Sequence, residues 1–364
     1  MGKSEIIFGN PMPAKVVRKA EKSKRKFIKK YGDDSKTLYP VRLEKNPYIG
    51  DRLGVVNVLV GDLEQNAHYN PQAQNPALEW DTQKGLIVGN IRMGFGHYRI
   101  SMAIASAAKS MGYTPYWMDL NSYGQTTCTK VIGEQNDLYS LGSRLSKNYL
   151  FNKFVWEPMN YEGFRALSYN AADQKNAELM APVFASVPKE IPVVGTHVWP
   201  AQAAIHAGMQ TVVNAIPDNW PMALHFAEGA THTIQCHNAY QGYRICNGMN
   251  KQAVCNPMPE EDLIYTGHYI DHELVSNIEA DCAARIARKE KGEPMRFLLT
   301  IGGAGAQKEI FAAITKYLLP MIREEKAVLY INVGDYKGVW DALLREIPEM
   351  KALATDHFDD WKDT

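Results

Sequence analysis

The chain has 364 residues, 45% of them hydrophobic and 22% charged, with a formal net charge of +0. This length suits two domains with a sizeable core, and the balanced charge argues against a whole-protein role as a polyanion binder. Five cysteines, Cys128, Cys236, Cys246, Cys255 and Cys282, form no CxxC pair, and the spacing of Cys236, His237 and Cys246 fits no usual zinc pattern, so reduced cytoplasmic thiols and no metal are expected.

Met1 to Pro11 contains no apolar stretch of signal-peptide length, and no later run reaches the ~20 apolar residues of a membrane span. A soluble or peripheral cytoplasmic protein is expected. From Met12 to Tyr31 nine basic residues face one acid, Glu21. Val16, Val17, Ala20, Phe27 and Ile28 are interspersed, so a helix here suits an anionic membrane surface or a phosphate backbone, and a solvated arm is the plain alternative. Val55 to Val60 reads as a strand and Gln65 to Pro76 as a polar loop.

From Gly85 short apolar runs alternate with helical periods, the pattern of a parallel sheet with crossover helices. Gly85 to Ile91 is a strand, Tyr98 to Met111 an alanine-rich helix, and Tyr113 to Met118 a strand ending at Asp119. A helical region from about Gly124 to Val187 breaks near Pro158. Strands follow at Ile191 to Thr196, Thr211 to Ile216, Thr231 to Cys236 and Leu263 to Gly267, then a charged helix from Asp271 to Lys291. After a Lys-Gly-Glu-Pro turn a new unit begins, with a strand at Phe297 to Ile301, a helix at Lys308 to Arg323, a strand at Ala327 to Val333 and a further strand near Leu353. The expected fold is α/β with two Rossmann-like, doubly wound domains: residues 1–80 as an extension with the basic arm, 81–292 as the first domain and 293–364 as the start of the second. Several more βα units are needed after Val333 to complete that second domain, so it is expected to be truncated at Thr364.

Two glycine loops follow strands and open helices, where backbone N–H groups and the helix dipole favour anions. The first is Gly94, Phe95, Gly96, with His97 and Arg99 just inside the helix. A neutral His97 there suits a general base, and a helix cap or a packing residue is the plain alternative. The second is Gly302, Gly303, Ala304, Gly305, preceded by Thr300. It lacks a P-loop pattern and suits close approach of a pyrophosphate, with a Thr300 hydroxyl contact. Asp218 ends a parallel strand, where doubly wound folds make ligand contacts, and caps a turn in the plain reading. His197 and Trp199 have the same placement and line a cleft or the core.

Gly94-Phe95-Gly96-His97-Tyr98-Arg99, the stretch Val213 to Trp220 with His225, Tyr265-Thr266-Gly267 and Gly302-Gly303 together resemble the monogalactosyl- and diglucosyl-diacylglycerol synthases and the lipid-II N-acetylglucosaminyltransferase. The resemblance covers about Gly85 to Val333. It implies a GT-B fold that transfers a hexose from a UDP-sugar to a lipid or glycolipid, with no cofactor and no obligatory metal. His97 maps onto the base and Asp218 onto the second catalytic position. Gly94, Gly96, Arg99, His197, Trp199, Trp220 and His225 fall on the acceptor side, and Thr300, Gly302, Gly303 and Gly305 on the donor side. Ile216-Pro217-Asp218 departs from the synthases, which commonly carry a threonine before the aspartate. The resemblance favours a membrane partner over nucleic acid for residues 12–31, at the inner membrane face. A non-catalytic nucleotide-sugar or lipid binding protein with a degenerate donor domain and a nucleotide-sugar 2-epimerase are the alternatives.

Overall fold

The computed structural model describes residues 2–71, 78–93, 95–250, 254–302, 308–334 and 336–356. The chain divides into two compact units, Met1–Glu273 and Leu274–Thr364.

The first unit opens with a small hairpin, β1 (Ile6–Ile7) and β2 (Asn10–Pro11), followed by helix α1 (Ala14–Tyr31), β3 (Val41–Lys45), the short α2 (Gly50–Leu53) and β4 (Val56–Val60). Then come β5 (Gly85–Asn90), α3 (Phe95–Ser110), β6 (Thr114–Asp119), α4 (Thr127–Leu145), α5 (Tyr149–Phe151), two π-helical turns (Asn152–Trp156 and Met159–Gly163) and α6 (Leu167–Ala177). The unit continues through β7 (Val193–Gly195), α7 (Val198–His206), β8 (Val212–Ala215), β9 (Thr231–Ile234), α8 (His237–Ile245) and β10 (Leu263–Tyr265). Eight of these strands form one sheet in the order β10-β9-β8-β7-β5-β6-β4-β3. All neighbours run parallel except the edge strand β3, which is antiparallel to β4.

The near-continuous apolar strands are what a sheet covered on both faces requires. On one face Val55, Val88 and Trp117 pack with Tyr98, Met102 and Ala105 of α3. On the other, Ile87, Tyr116, Met118, Val58 and Val193 share a core with Phe27 of α1, Val131 of α4 and Val198 and Trp199 of α7. Two glycines bring α7 close to the sheet, since a Cβ on Gly89 would lie 2.9 Å from Pro200 Cβ and one on Gly195 2.9 Å from the Ala201 backbone nitrogen.

Residues 1–80, expected as an extension, instead belong to the first unit: β3 and β4 are strands of its sheet, and α1 packs on α4 and α6. The basic segment is thus a docked amphipathic helix. Its Ala20 and Phe27 are buried, and Lys24 and Lys30 bond Glu178 and Glu134 at 2.6 and 2.7 Å.

His232 is fully buried, with its Nε2 accepting from the Ala227 backbone N–H at 3.1 Å. Burial lowers its pKa to about 4, and burial likewise lowers that of His206 to about 4. Below pH 6.5 the unfolded chain takes up protons that these rings refuse until about pH 4, so their stabilisation is complete above 6.5 and lost as pH falls through that window. For His232 the loss by pH 4 is on the order of 3 kcal/mol. Urea midpoints should therefore drop steeply between pH 6.5 and 4, and more gently in His232→Gln; equal slopes would contradict the assignment.

The second unit contains α9 (His272–Ser276) from Leu274 onward, α10 (Ile278–Glu290), β11 (Met295–Thr300), α11 (Lys308–Arg323), β12 (Ala327–Asn332), α12 (Lys337–Glu346) and α13 (Met350–Leu353). Strands β11 and β12 pair in parallel over six residues, and Ile301, Phe311, Leu319, Val333, Trp340 and Leu343 form its core. This is a βαβ start of the expected kind. Two expectations differ. The units part at 273/274 rather than near 292, with the charged helix broken at Asn277, and the stretch near Leu353 is a helical turn instead of a strand.

Candidate functional site

The sheet order reverses at β5, whose two neighbours β6 and β7 follow it in sequence on opposite sides. Crevices at the carboxyl ends of such strands are where open α/β sheets hold ligands. His97 follows β5, His197 follows β7, and Asp218 and His225 follow β8, so all four lie on the edge that the sequence placed them on.

His97 sits in the first turn of α3 and is half-buried. Its Nδ1 lies 2.8 Å from the Thr196 carbonyl oxygen. A carbonyl can only accept, so Nδ1 carries the proton and Nε2 the lone pair. Burial, opposed by the Thr196 carbonyl and by Asp218, lowers the His97 pKa and keeps the ring neutral. Gly96 leaves the surface beside it uncovered, since a Cβ there would meet nothing within 4 Å.

His197 is the N-cap of α7, its Nδ1 accepting from the Trp199 backbone N–H at 3.2 Å. Its ring stands edge-on to His97 at 4.9 Å between centroids and to Trp199 at 4.8 Å. Burial, with the His97 and His225 rings adding to it, pushes the His197 pKa well down. Beside the Trp199 indole, Asp173 of α6 is 2% exposed. Burial raises its pKa to about 7, and the Trp199 indole offsets only part of that.

Asp218 does not touch His97. Its Oδ2 lies 3.1 Å from Nε2 of the buried His225, while its side chain is 52% exposed. Burial of its inner atoms works against the charge, but the adjoining His225 and the His97 ring outweigh that and hold the carboxyl below the usual carboxylate range. Asn214 at the end of β8 donates to the His225 carbonyl at 2.7 Å, fixing the turn that carries both residues.

Two residues after Asp218, Trp220 stacks on Tyr161 at 5.2 Å, with the Arg165 guanidinium 5.6 Å over the indole. Trp199, expected in the cleft, is 3% exposed and serves the core and the His197 cap. Arg99 hydrogen-bonds Asp271, which engages it away from the His97 ring. Gly94, Gly303 and Gly305 lie outside the described residues. Thr300 ends β11 and Gly302 follows it in the second unit.

Sequence reasoning missed two partners. Asp173 reads as one polar residue in a polar helix, and nothing local marks it as buried. His68 meets Asp119 at 3.0 Å across 51 residues of chain, and Asp119 at the end of β6 was the one available signal. Among the described residues no group of three or more His, Cys, Asp or Glu is placed to hold a metal, and no helix is long and apolar enough to cross a membrane.

No curated protein and no solved structure matches the chain. Residues 258–364 match the family described as Domain of unknown function (DUF6938). Residues 6–245, the greater part of the chain and the whole of the edge that carries His97, His197, Asp218 and His225, match Domain of unknown function (DUF6937), and the chain belongs to that family.

Proposed function

We propose that the chain transfers a hexose from a UDP-sugar to a hydroxyl of a lipid or glycolipid, as a GT-B type enzyme with His97 as base. The observation that carries the reading is the state of His97: neutral, oriented by the Thr196 carbonyl, with its Nε2 lone pair free of any partner among the described residues. In the step, Nε2 takes the hydroxyl proton while that oxygen bonds the anomeric carbon. The bond from the anomeric carbon to UDP breaks, and UDP leaves with its electrons. The Asp218 carboxylate stabilises the imidazolium that forms.

A lipid acceptor is supported by the segment from α4 through the π-helical turns. Leu138, Leu145, Tyr149, Leu150, Phe154 and Val155 are exposed there. Tyr139 in the same segment feels the Asp218 charge, so the apolar surface adjoins the site. The exposed lysines of α1, which packs on α4, suit an anionic membrane at the inner face. The β11–α11–β12 unit with Thr300 and Gly302 suits the UDP-sugar.

The test incubates the full chain with radiolabelled UDP-glucose, UDP-galactose or UDP-N-acetylglucosamine and anionic vesicles of a total lipid extract. Label should enter the organic phase, and UDP should raise the melting midpoint. No labelled lipid with any donor, together with an unmoved midpoint, sinks the reading. Epimerised sugar without acceptor replaces it with an epimerase.

A further inference from the structure

Two backbone contacts set the protons of two neighbouring imidazoles in opposite senses. His97 Nδ1 faces a carbonyl, which only accepts, so its Nε2 is an acceptor. His197 Nδ1 faces the Trp199 N–H, which only donates, so Nδ1 is unprotonated and the ring's single proton is on Nε2. Neither Nε2 meets a partner among the described residues; His97 is half-buried and His197 is 8% exposed. The rings are edge to face, 4.9 Å apart at 82°. Their environments keep both neutral, since burial opposes a charge on either and a charge on one would oppose a charge on the other.

We infer that His97 and His197 together form a hydroxyl clamp, in which His197 Nε2–H donates to the oxygen of an incoming alcohol while His97 Nε2 accepts its hydrogen. The inference rests on the reading that a substrate hydroxyl comes to His97, and it adds His197 as a second residue that touches that hydroxyl. A site of one donor and one acceptor is complementary to a group that both donates and accepts. An ammonium would leave His197 facing another donor, and a carboxylate would leave His97 facing another acceptor, each at the cost of an unmade bond. The pair therefore favours a neutral group that both donates and accepts, which on the transfer reading is the acceptor's alcohol. The donor also holds the oxygen as negative charge builds on it during proton removal.

The local fold builds this pair deliberately. Gly89 and Gly195 let α7 descend onto the sheet, which brings the α7 N-cap beside the α3 N-terminus. The Ser101 hydroxyl bonds both the His97 carbonyl, at 2.9 Å, and the Thr196 hydroxyl, at 2.8 Å, tying the two helix starts together.

Two measurements test the clamp. In the full chain labelled with 15N-histidine and free of ligand, long-range nitrogen–proton correlations at pH 7.5 should show His97 as the Nδ1–H tautomer and His197 as the Nε2–H tautomer, with His97→Gln and His197→Asn assigning the signals. His197 as the Nδ1–H tautomer or as a cation would overturn the inference. This readout needs no sugar donor, so it stands or fails apart from the glycosyl reading. The second uses His197→Asn, which keeps a side-chain oxygen to cap α7 and removes only the Nε2 donor. It should melt close to the parent, lose about tenfold to a hundredfold in kcat/KM for lipid transfer, and keep the acid limb of the pH profile, because His97 is untouched. A kcat/KM within about twofold of the parent would overturn the clamp.

Discussion

His97→Ala is expected to lower the rate of transfer by about 10²- to 10⁴-fold, the range that general-base catalysis supplies, with folding preserved. The ring is half-buried and its one hydrogen bond goes to a carbonyl, so its loss removes little packing. Burial places its pKa below 6.5, so kcat/KM should hold constant from pH 8 down to about 6.5 and bend only below that. The Asp218 carboxylate raises the His97 pKa. Asp218→Asn should therefore move the acid limb to lower pH while reducing the rate. An alanine variant with full turnover, or a limb that moves upward in Asp218→Asn, removes His97 from the role.

The largest stability effect is expected at Asp173. In the folded chain burial raises its pKa to about 7, while in the unfolded chain it titrates near the ordinary aspartate value of 3.8. Between those values the folded state holds a proton that the unfolded state has lost, so the contribution of Asp173 to stability, opposite in sense to that of His232 and His206, is greatest below about pH 4 and falls as pH rises to 7. Asp173→Asn keeps the shape and abolishes the charge. It should stabilise the chain by on the order of 4 kcal/mol at pH 8 and by under about 2 kcal/mol at pH 5. Urea unfolding at the two pH values measures this, and a variant that is no more stable at pH 8 than at pH 5, relative to the parent, refutes the buried charge. Because Asp173 meets the Trp199 indole, which in turn stands against the His197 ring, the native carboxyl reads as a group retained at a cost to stability near the site.

The strands around the switch point were legible because a sheet covered on both faces needs apolar runs, and β5, β6 and β7 have them. The glycines after β5 and the alanines of α3 marked a tight turn into a closely packed helix. Edge strand β3 was not legible: Val-Arg-Leu-Glu-Lys carries charges suited to a half-exposed antiparallel edge, and that composition also suits a loop. Met350 to Leu353 shows the converse, since four residues do not distinguish a helical turn from a strand. At the site, position along a strand end placed His97, His197 and Asp218 on one edge. Their pairing was not readable, because the partner of Asp218 is set by the path of residues 219–225 and the tautomers of the histidines by two backbone atoms.

The N-terminal segment ties together strands that lie far apart in the sheet. Asn10 donates to the Asn256 carbonyl at 2.9 Å and receives the Asn256 backbone N–H at 2.8 Å, and Phe8 packs on Phe226. The same segment then continues through α1 to β3 and β4 at the opposite margin of the sheet. Residues 1–60 therefore complete their contacts only after residue 256 has been made. Such long loops close slowly and leave the emerging β3–β4 pair uncovered in the meantime. Folding of this unit is expected to finish late. A chain lacking residues 1–31 would lose the clasp that ends it, in addition to the positive charge of α1.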